Sequence, residues 1–395
     1  MKYWRGYIAA IIFAALGWGF VQFASSHPVM VDVVYPYLSR IFMNSLATWS
    51  SGTSICIWQL LLFFGIVVIF ATAVLMIVLK WNPVQWFGWI LAVVFGFNTL
   101  STVIYGLNAY ASPLADDIRL TISDYTVSEL NEATLFFRDQ ANTLSTQIPR
   151  DNKGNAALGK FENVAKLAHD GFETLTYKKY ISVFASAEAP VKKLTMPGLF
   201  LSKGDSGMVV PLTGEAAVSP YVPSACLPFA ICKELAHRIS IYAEPDGNFA
   251  AFLACISNAD PAYQYSGYMM AYYHCQQALK SIPTSTAQNC AKNADKGVND
   301  FLRKDLAACH SFYGNAQSAA NVQPTANITA SDSEITLISF SSYSDVVDLF
   351  ASWYIQEYLL PVYEEENKTQ EFDPFDESQV DLIGPAEEEE KEETQ

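Results

Sequence analysis

The stretch Cys232-Lys233-Glu234-Leu235-Ala236-His237-Arg238 carries residue types that could do chemistry. It departs by one letter from H-E-x-x-H, in which two imidazoles one helical turn apart hold zinc and the glutamate between them is the general base. Glu234 stands at the base position and His237 at the second imidazole; Lys233 replaces the first. Zinc hydrolysis needs three protein ligands and an activated water. A histidine offers a neutral lone pair near pH 7. A lysine must first lose a proton from a group with a pKa near 10.4, which at pH 7 costs roughly 4.6 kcal/mol before any metal bond forms. Its ammonium would also repel the cation.

The elements that must hold these residues follow from periodicity. A helix over 227–242 has Ile231, Cys232, Leu235, Ile239 and Tyr242 on its apolar stripe. Lys233 and His237 share one face, and Glu234 and Arg238 have ion-pair spacing on the next. A break is expected at Glu244-Pro245-Asp246-Gly247, then a helix over 248–257 and an aromatic helix over 263–280. Upstream, Thr126-Val127-Ser128-Glu129 is a capping pattern that opens a helix to Thr146. A second helix begins near Ala157. Turn signals between Pro190 and Gly214 bracket the apolar runs LFL and MVV, which read as strands of a small sheet. Residues 311–333 read as a polar loop, and 346–362 as a closing helix.

Apolar residues make up 51% of the 395 and charged ones 16%, too apolar a balance for a soluble chain of this size. The excess lies in three runs, 7–23, 55–79 and 84–107, each near the length that spans a bilayer. Lys2, Arg5 and Lys80 belong on the cytoplasmic side. The expectation is a multi-pass protein of the plasma (cytoplasmic) membrane with its N-terminus inside and a large C-terminal domain outside. A competing reading of the first run is a signal peptide cleaved near Ala24 to Ser26. The chain divides into a membrane domain (1–107), an exterior domain (108–362) and an acidic tail (363–395). That tail carries most of the net charge of −16 and reads as disordered. The lipid bilayer is the expected partner, with other membrane or exterior proteins. No basic patch points to nucleic acid, and no nucleotide-binding fingerprint is present.

Six of the seven cysteines fall after residue 108. In an oxidising compartment this suggests disulfides among Cys226, Cys232, Cys275, Cys290 and Cys309. Cys275, Cys290 and Cys309 bracket a segment expected to be stapled, and Cys255, in FLACI, reads as a buried thiol.

Several stretches in order resemble a family. YPYLSRIF with SGTSICIWQLL is similar to a tyrosine–proline loop and the entry to a second membrane helix. PLTGEAAV resembles P-F-T-G-E-A-N-V, LPFAICKELAHR resembles L-P-F-x-x-x-H-E-x-A-H-Q, and EPDGNFAAFLAC resembles E-D-E-A-N-F-x-x-x-L-A-C. YQYSGYMMA and SYSDVVDLF follow in place. Together they resemble an uncharacterised bacterial family of three-pass membrane proteins with an exterior zincin-like domain. The resemblance implies an α-rich α+β membrane protein: three transmembrane helices, then a zincin-like domain with a small sheet. It places Glu215 on or near the strand beside the site, and His237 and Asp246 at metal-ligand positions. The departures fall on the chemistry: Lys233 for histidine, Asp246 for glutamate and Gly247 for alanine. These residues favour a non-catalytic, membrane-anchored binding or assembly subunit without a cofactor, in which Lys233 stands in for the metal's charge among Glu234, Asp246 and His237. One alternative is an active zinc peptidase using His237, Asp246 and Glu244 with Glu234 as base; the other is a purely structural membrane-complex subunit.

Overall fold

Four helices open the chain: α1 (Arg5–Ser26), α2 (Pro28–Ser50), α3 (Ile57–Val78) and α4 (Pro83–Ile104). The structure is a computed structural model that describes residues 4–122, 124–178, 183–317, 327–330, 336–339 and 346–361; the acidic tail lies outside them. α1, α3 and α4 have 22 residues each and are long and apolar enough to cross a membrane. They match the three apolar runs to within a few residues. α1 and α4 run parallel in close contact. A Cβ on Gly6 would sit 2.4 Å from the Gly88 carbonyl carbon, so glycine lets the backbones meet. Further along, Thr99 Oγ1 donates to Phe13 O at 2.8 Å.

α2 corrects the reading of YPYLSRIF as a loop, because Pro36 lies inside this 23-residue helix. An interior proline removes one backbone bond. Burial of Val31, Met43 and Ala47 on the inner face of α2 opposes that cost.

Beyond a 3₁₀ turn at Gly106–Tyr110 come α5 (Leu114–Ile118), β1 (Tyr125–Thr126), α6 (Val127–Ser145) and α7 (Phe161–Lys178). The capping box at Thr126 forms as expected: its hydroxyl accepts from Glu129 N at 3.1 Å, and Glu129 Oε2 accepts from Thr126 N at 2.7 Å. β2 (Lys192–Lys193), β3 (Gly207–Val210) and β4 (Glu215–Val218) form a sheet in the order β2-β4-β3. β2 is parallel to β4, and β3 is antiparallel to it. MVV is thus a strand, but LFL is not. Pro197 starts a 3₁₀ turn there, and its carbonyl accepts from Phe200 N and Leu201 N.

The remaining elements are α8 (Leu227–Arg238), α9 (Glu244–Ser257), α10 (Pro261–Ser281), α11 (Ser285–Lys296), α12 (Asp300–Gln317), β5 (Asn327–Ala330), β6 (Thr336–Ser339) and α13 (Val346–Tyr354), which continues into a wide turn at Ile355–Leu359. β1, β6 and β5 make a second, antiparallel sheet. Helix α12 and strand β5 therefore occupy part of the stretch read as a loop over 311–333. The core is aromatic: Tyr263, Tyr265 and Tyr272 of α10 are fully buried with Phe137, Phe252 and Phe350.

The cysteines correct the disulfide expectation. All seven are free thiols. Cys226, Cys232, Cys255, Cys275 and Cys309 are buried and Cys290 is half-buried. Cys226 lies against Cys309 and Cys232 against Cys255, but no pair is at disulfide distance. They pack between helices as small apolar side chains, and the expected staple across 275–309 is not formed.

Candidate functional site

α8 begins with Pro228 in its first turn, where a missing N–H costs nothing. It ends at Arg238, earlier than periodicity suggested. Ser240 adopts φ +79°, and Ile241 N turns back to Ala236 O at 3.2 Å. This left-handed stop moves the chain break to 239–243. Glu244-Pro245-Asp246-Gly247, expected as the break, forms the first turn of α9.

The stop lays the start of α9 across the end of α8 and brings four groups together. Lys233 Nζ is 3.4 Å from Glu234 Oε1 and 3.2 Å from Glu244 Oε2. His237 Nε2 is 3.5 Å from the same Glu244 oxygen. The other ring nitrogen, Nδ1, is 2.8 Å from Ile241 O and donates to it, so Nε2 faces Glu244 and donates to it only when the imidazole is protonated. The imidazole rests against Gly247. A Cβ there would be 2.5 Å from Cε1, so the alanine that the resemblance places here would collide with the ring.

Charge is set by the neighbours. Burial disfavours the Lys233 ammonium, but Glu234 and Glu244 outweigh it and hold the pKa above its ordinary value. His237 is raised in the same way, burial opposing and Glu244 and Glu234 prevailing. Burial works against ionising Glu244, yet His237 and Lys233 draw its carboxyl down to about 2. Lys233 is therefore held in its protonated form as a donor to both carboxylates.

The other residues singled out in the sequence go elsewhere. Glu234 is 2% exposed and accepts from Ser206 Oγ at 3.2 Å. Its side chain fills the space that a Cβ on Gly207 would take. The expected Glu234–Arg238 ion pair is not formed. Arg238 is also buried and donates to Ala189 O at 2.5 Å, and burial pulls its pKa down to about 10. Asp246 does not join Lys233 and His237: its Oδ2 accepts from Leu114 N at 3.1 Å, at the start of α5. Glu215 opens β4, but its carboxylate accepts from Ile57 N and Trp58 N, both at 2.8 Å. It caps membrane helix α3 and pairs with buried Lys192 at 2.7 Å. Lys192, Ser206 and Gly207 carried no signal in the sequence, since their partners are distant in the chain.

Lys233, Asp246 and His237 do not converge as a three-ligand zinc set: Lys233 pairs with Glu244, and Asp246 Oδ2 accepts from Leu114 N. Among the described residues, the cluster with metal-ligand spacing is His169, Asp170 and Glu173 on α7, which shares no residue with the Lys233 site.

Membrane-crossing helices followed by an α-rich body with a small sheet define the class. Within it, the chain belongs to the family described as "Protein of unknown function (DUF3810)", whose model matches residues 31–350. No curated protein and no solved structure matches the chain.

Proposed function

We propose that this chain is a membrane-anchored, non-catalytic zincin-like protein in which the Lys233 ammonium takes the place of a metal's charge, and that its C-terminal body is a binding or assembly subunit outside the plasma membrane. The observation that carries this is Lys233 Nζ lying within 3.4 Å of both Glu234 and Glu244. A protonated lysine between two carboxylates gives charge-assisted hydrogen bonds and ties α8 to α9 without an ion. Gly247 and the diverted Asp246 support the same reading, since both adapt the surroundings to a site with one imidazole. The orientation rests on Arg5 and Lys80. Both lie at helix ends remote from the C-terminal body, the ends that the positive-inside preference assigns to the cytoplasm.

The test is elemental analysis of the full-length protein purified in detergent, paired with a peptidase assay with and without chelator. The expected result is no stoichiometric zinc and no chelator-sensitive cleavage. One zinc per chain, lost in His237→Ala, would sink the proposal.

A further inference from the structure

α2 is amphipathic in reverse. Its two charged side chains face the protein: Asp32 Oδ1 accepts from Ser112 N at 2.8 Å, and Arg40 Nε donates to Ile239 O at 3.0 Å. Its outer face carries no charge and is mostly apolar, with Ser45 and Thr48 the exposed hydroxyls toward its C-terminal end. Val33 is 73% exposed, Tyr37 61%, Leu38 54%, Phe42 50% and Trp49 70%. These positions recur at helical spacing on one side, and burial of Ser39, Arg40, Met43 and Ala47 marks the other.

The path of α2 decides what covers that face. A single residue, His27, separates its start from the end of α1. Near its middle it touches the end of α4, with Tyr35 Oη donating to Val103 O at 2.9 Å and Ser39 Oγ to Ile104 O at 2.8 Å. At its end, Ser50 O accepts from Lys192 Nζ at 2.6 Å, and Lys192 pairs with the Glu215 carboxylate that caps the start of α3. The helix thus joins the ends of α1 and α4 to the beginning of α3, and all three lie on the side of the C-terminal body. A 23-residue helix is about 34 Å long, enough to cross a hydrocarbon core of about 30 Å. A crossing would leave its two ends on opposite faces, yet both are held on one.

We propose that α2 lies in the plane of the bilayer interface, in the leaflet beneath the C-terminal body, with its apolar face in lipid. It is continuous with the membrane-crossing helices at both ends, and an uncharged, mostly apolar face of this size matches the part of an interfacial helix that sinks below the headgroups. The Arg40–Ile239 bond fastens this strut to the end of α8, so the body is held at a fixed angle to the membrane. The inference does not depend on the reading of Lys233.

The experiment uses the full chain in phosphatidylcholine–phosphatidylglycerol vesicles, with Cys290→Ser to remove the half-buried thiol. Nitroxide labels are placed singly at Val33→Cys, Tyr37→Cys, Phe42→Cys and Trp49→Cys, with Lys292→Cys, exposed on α11, as reference. Collision rates with oxygen and with a water-soluble nickel chelate are then compared. The expected result is an oxygen-to-nickel ratio several-fold above that at the Lys292 position, with one common depth along α2. Three results overturn the proposal: nickel access equal to the reference, a depth that changes steadily from 33 to 49, or shielding from both probes, which means a protein partner covers the face. Crosslinking of the unsubstituted chain by a phosphatidylcholine with a diazirine on its acyl chain gives an independent reading. Crosslinks on the outer residues of α2 are expected, and their absence there, with α3 labelled, counts against it.

Discussion

Lys192–Glu215 and Lys233–Glu244 are chemically the same pair in opposite surroundings. In the first, nitrogen and oxygen are 2.7 Å apart with side chains 5% and 0% exposed. In the second they are 3.2 Å apart, and the Glu244 side chain is 66% exposed. Burying an ion pair is costly unless the remaining donors and acceptors are filled, and around Lys192 they are. Its ammonium also reaches Ser50 O and Ile55 O, while Glu215 takes two backbone N–H groups of α3. That pair joins the sheet to a membrane helix. The other sits at a solvent edge, where screening keeps the attraction small. Around Lys192 the protein supplies the rest of the hydrogen bonds, while Glu244 is left largely to solvent, so the buried joint is the stronger of the two.

Substitutions can break the comparison, the largest effect first. Glu215→Ala leaves Lys192 buried without its counter-ion and uncaps α3. A loss of about 3–5 kcal/mol is expected, read as a melting midpoint lower by roughly 10 °C in detergent. Gly247→Ala drives a methyl into the His237 ring and is expected to cost about 1–3 kcal/mol. A double substitution with His237→Ala should recover most of that loss, and failure to recover would show that the strain lies elsewhere. Lys233→Met leaves Glu234 with only Ser206 as partner, for an expected loss of about 2 kcal/mol, smaller than that of Glu215→Ala. If the two losses are equal, burial does not separate the pairs.

Glu244→Gln should have the smallest effect, under about 1 kcal/mol, and it carries a pH signature. The folded pKa of His237 is raised, so its contribution is present below the ordinary 6.5 and fades as pH rises through the higher folded value. That of Glu244 is lowered to about 2, so its contribution is present above the ordinary 4.5 and fades as pH falls toward 2. The advantage of the wild type over Glu244→Gln is expected to peak between about pH 4.5 and 6.5 and to fall above that to the part supplied by Lys233. A flat difference across pH in thermal melts would place His237 outside the pair.

The membrane helices were legible because an uninterrupted apolar run has few other uses, and α6 because a capping box is a local signal. α2 was not, for a physical reason. Val33, Tyr37, Leu38, Phe42 and Trp49 face away from the protein while Asp32 and Arg40 face in, against the usual assignment of large apolar residues to the core, and the tyrosine–proline stretch resembled a loop. At the site, the sequence placed Lys233, Glu234 and His237 correctly on one helix, and the loss of an imidazole was plain. What it could not show was the direction of three carboxylates. Asp246 goes to Leu114, Glu215 to α3 and Glu244 to Lys233, and each choice depends on a stop at Ser240 or on contacts more than a hundred residues away. The thiols misled because clustering along the chain says little about distance in a helical core.

The contact of Gly6 with Gly88 has a consequence for biogenesis. α1 leaves the ribosome first, but the helix whose backbone it meets is the last of the three spans to be made. At roughly 5–20 residues per second, several seconds separate the two glycines. For that interval the glycine face of α1 is without the backbone that it meets in the folded protein. Synthesis of α4 closes the clasp, and only then does the body that follows receive its complete seat on the membrane.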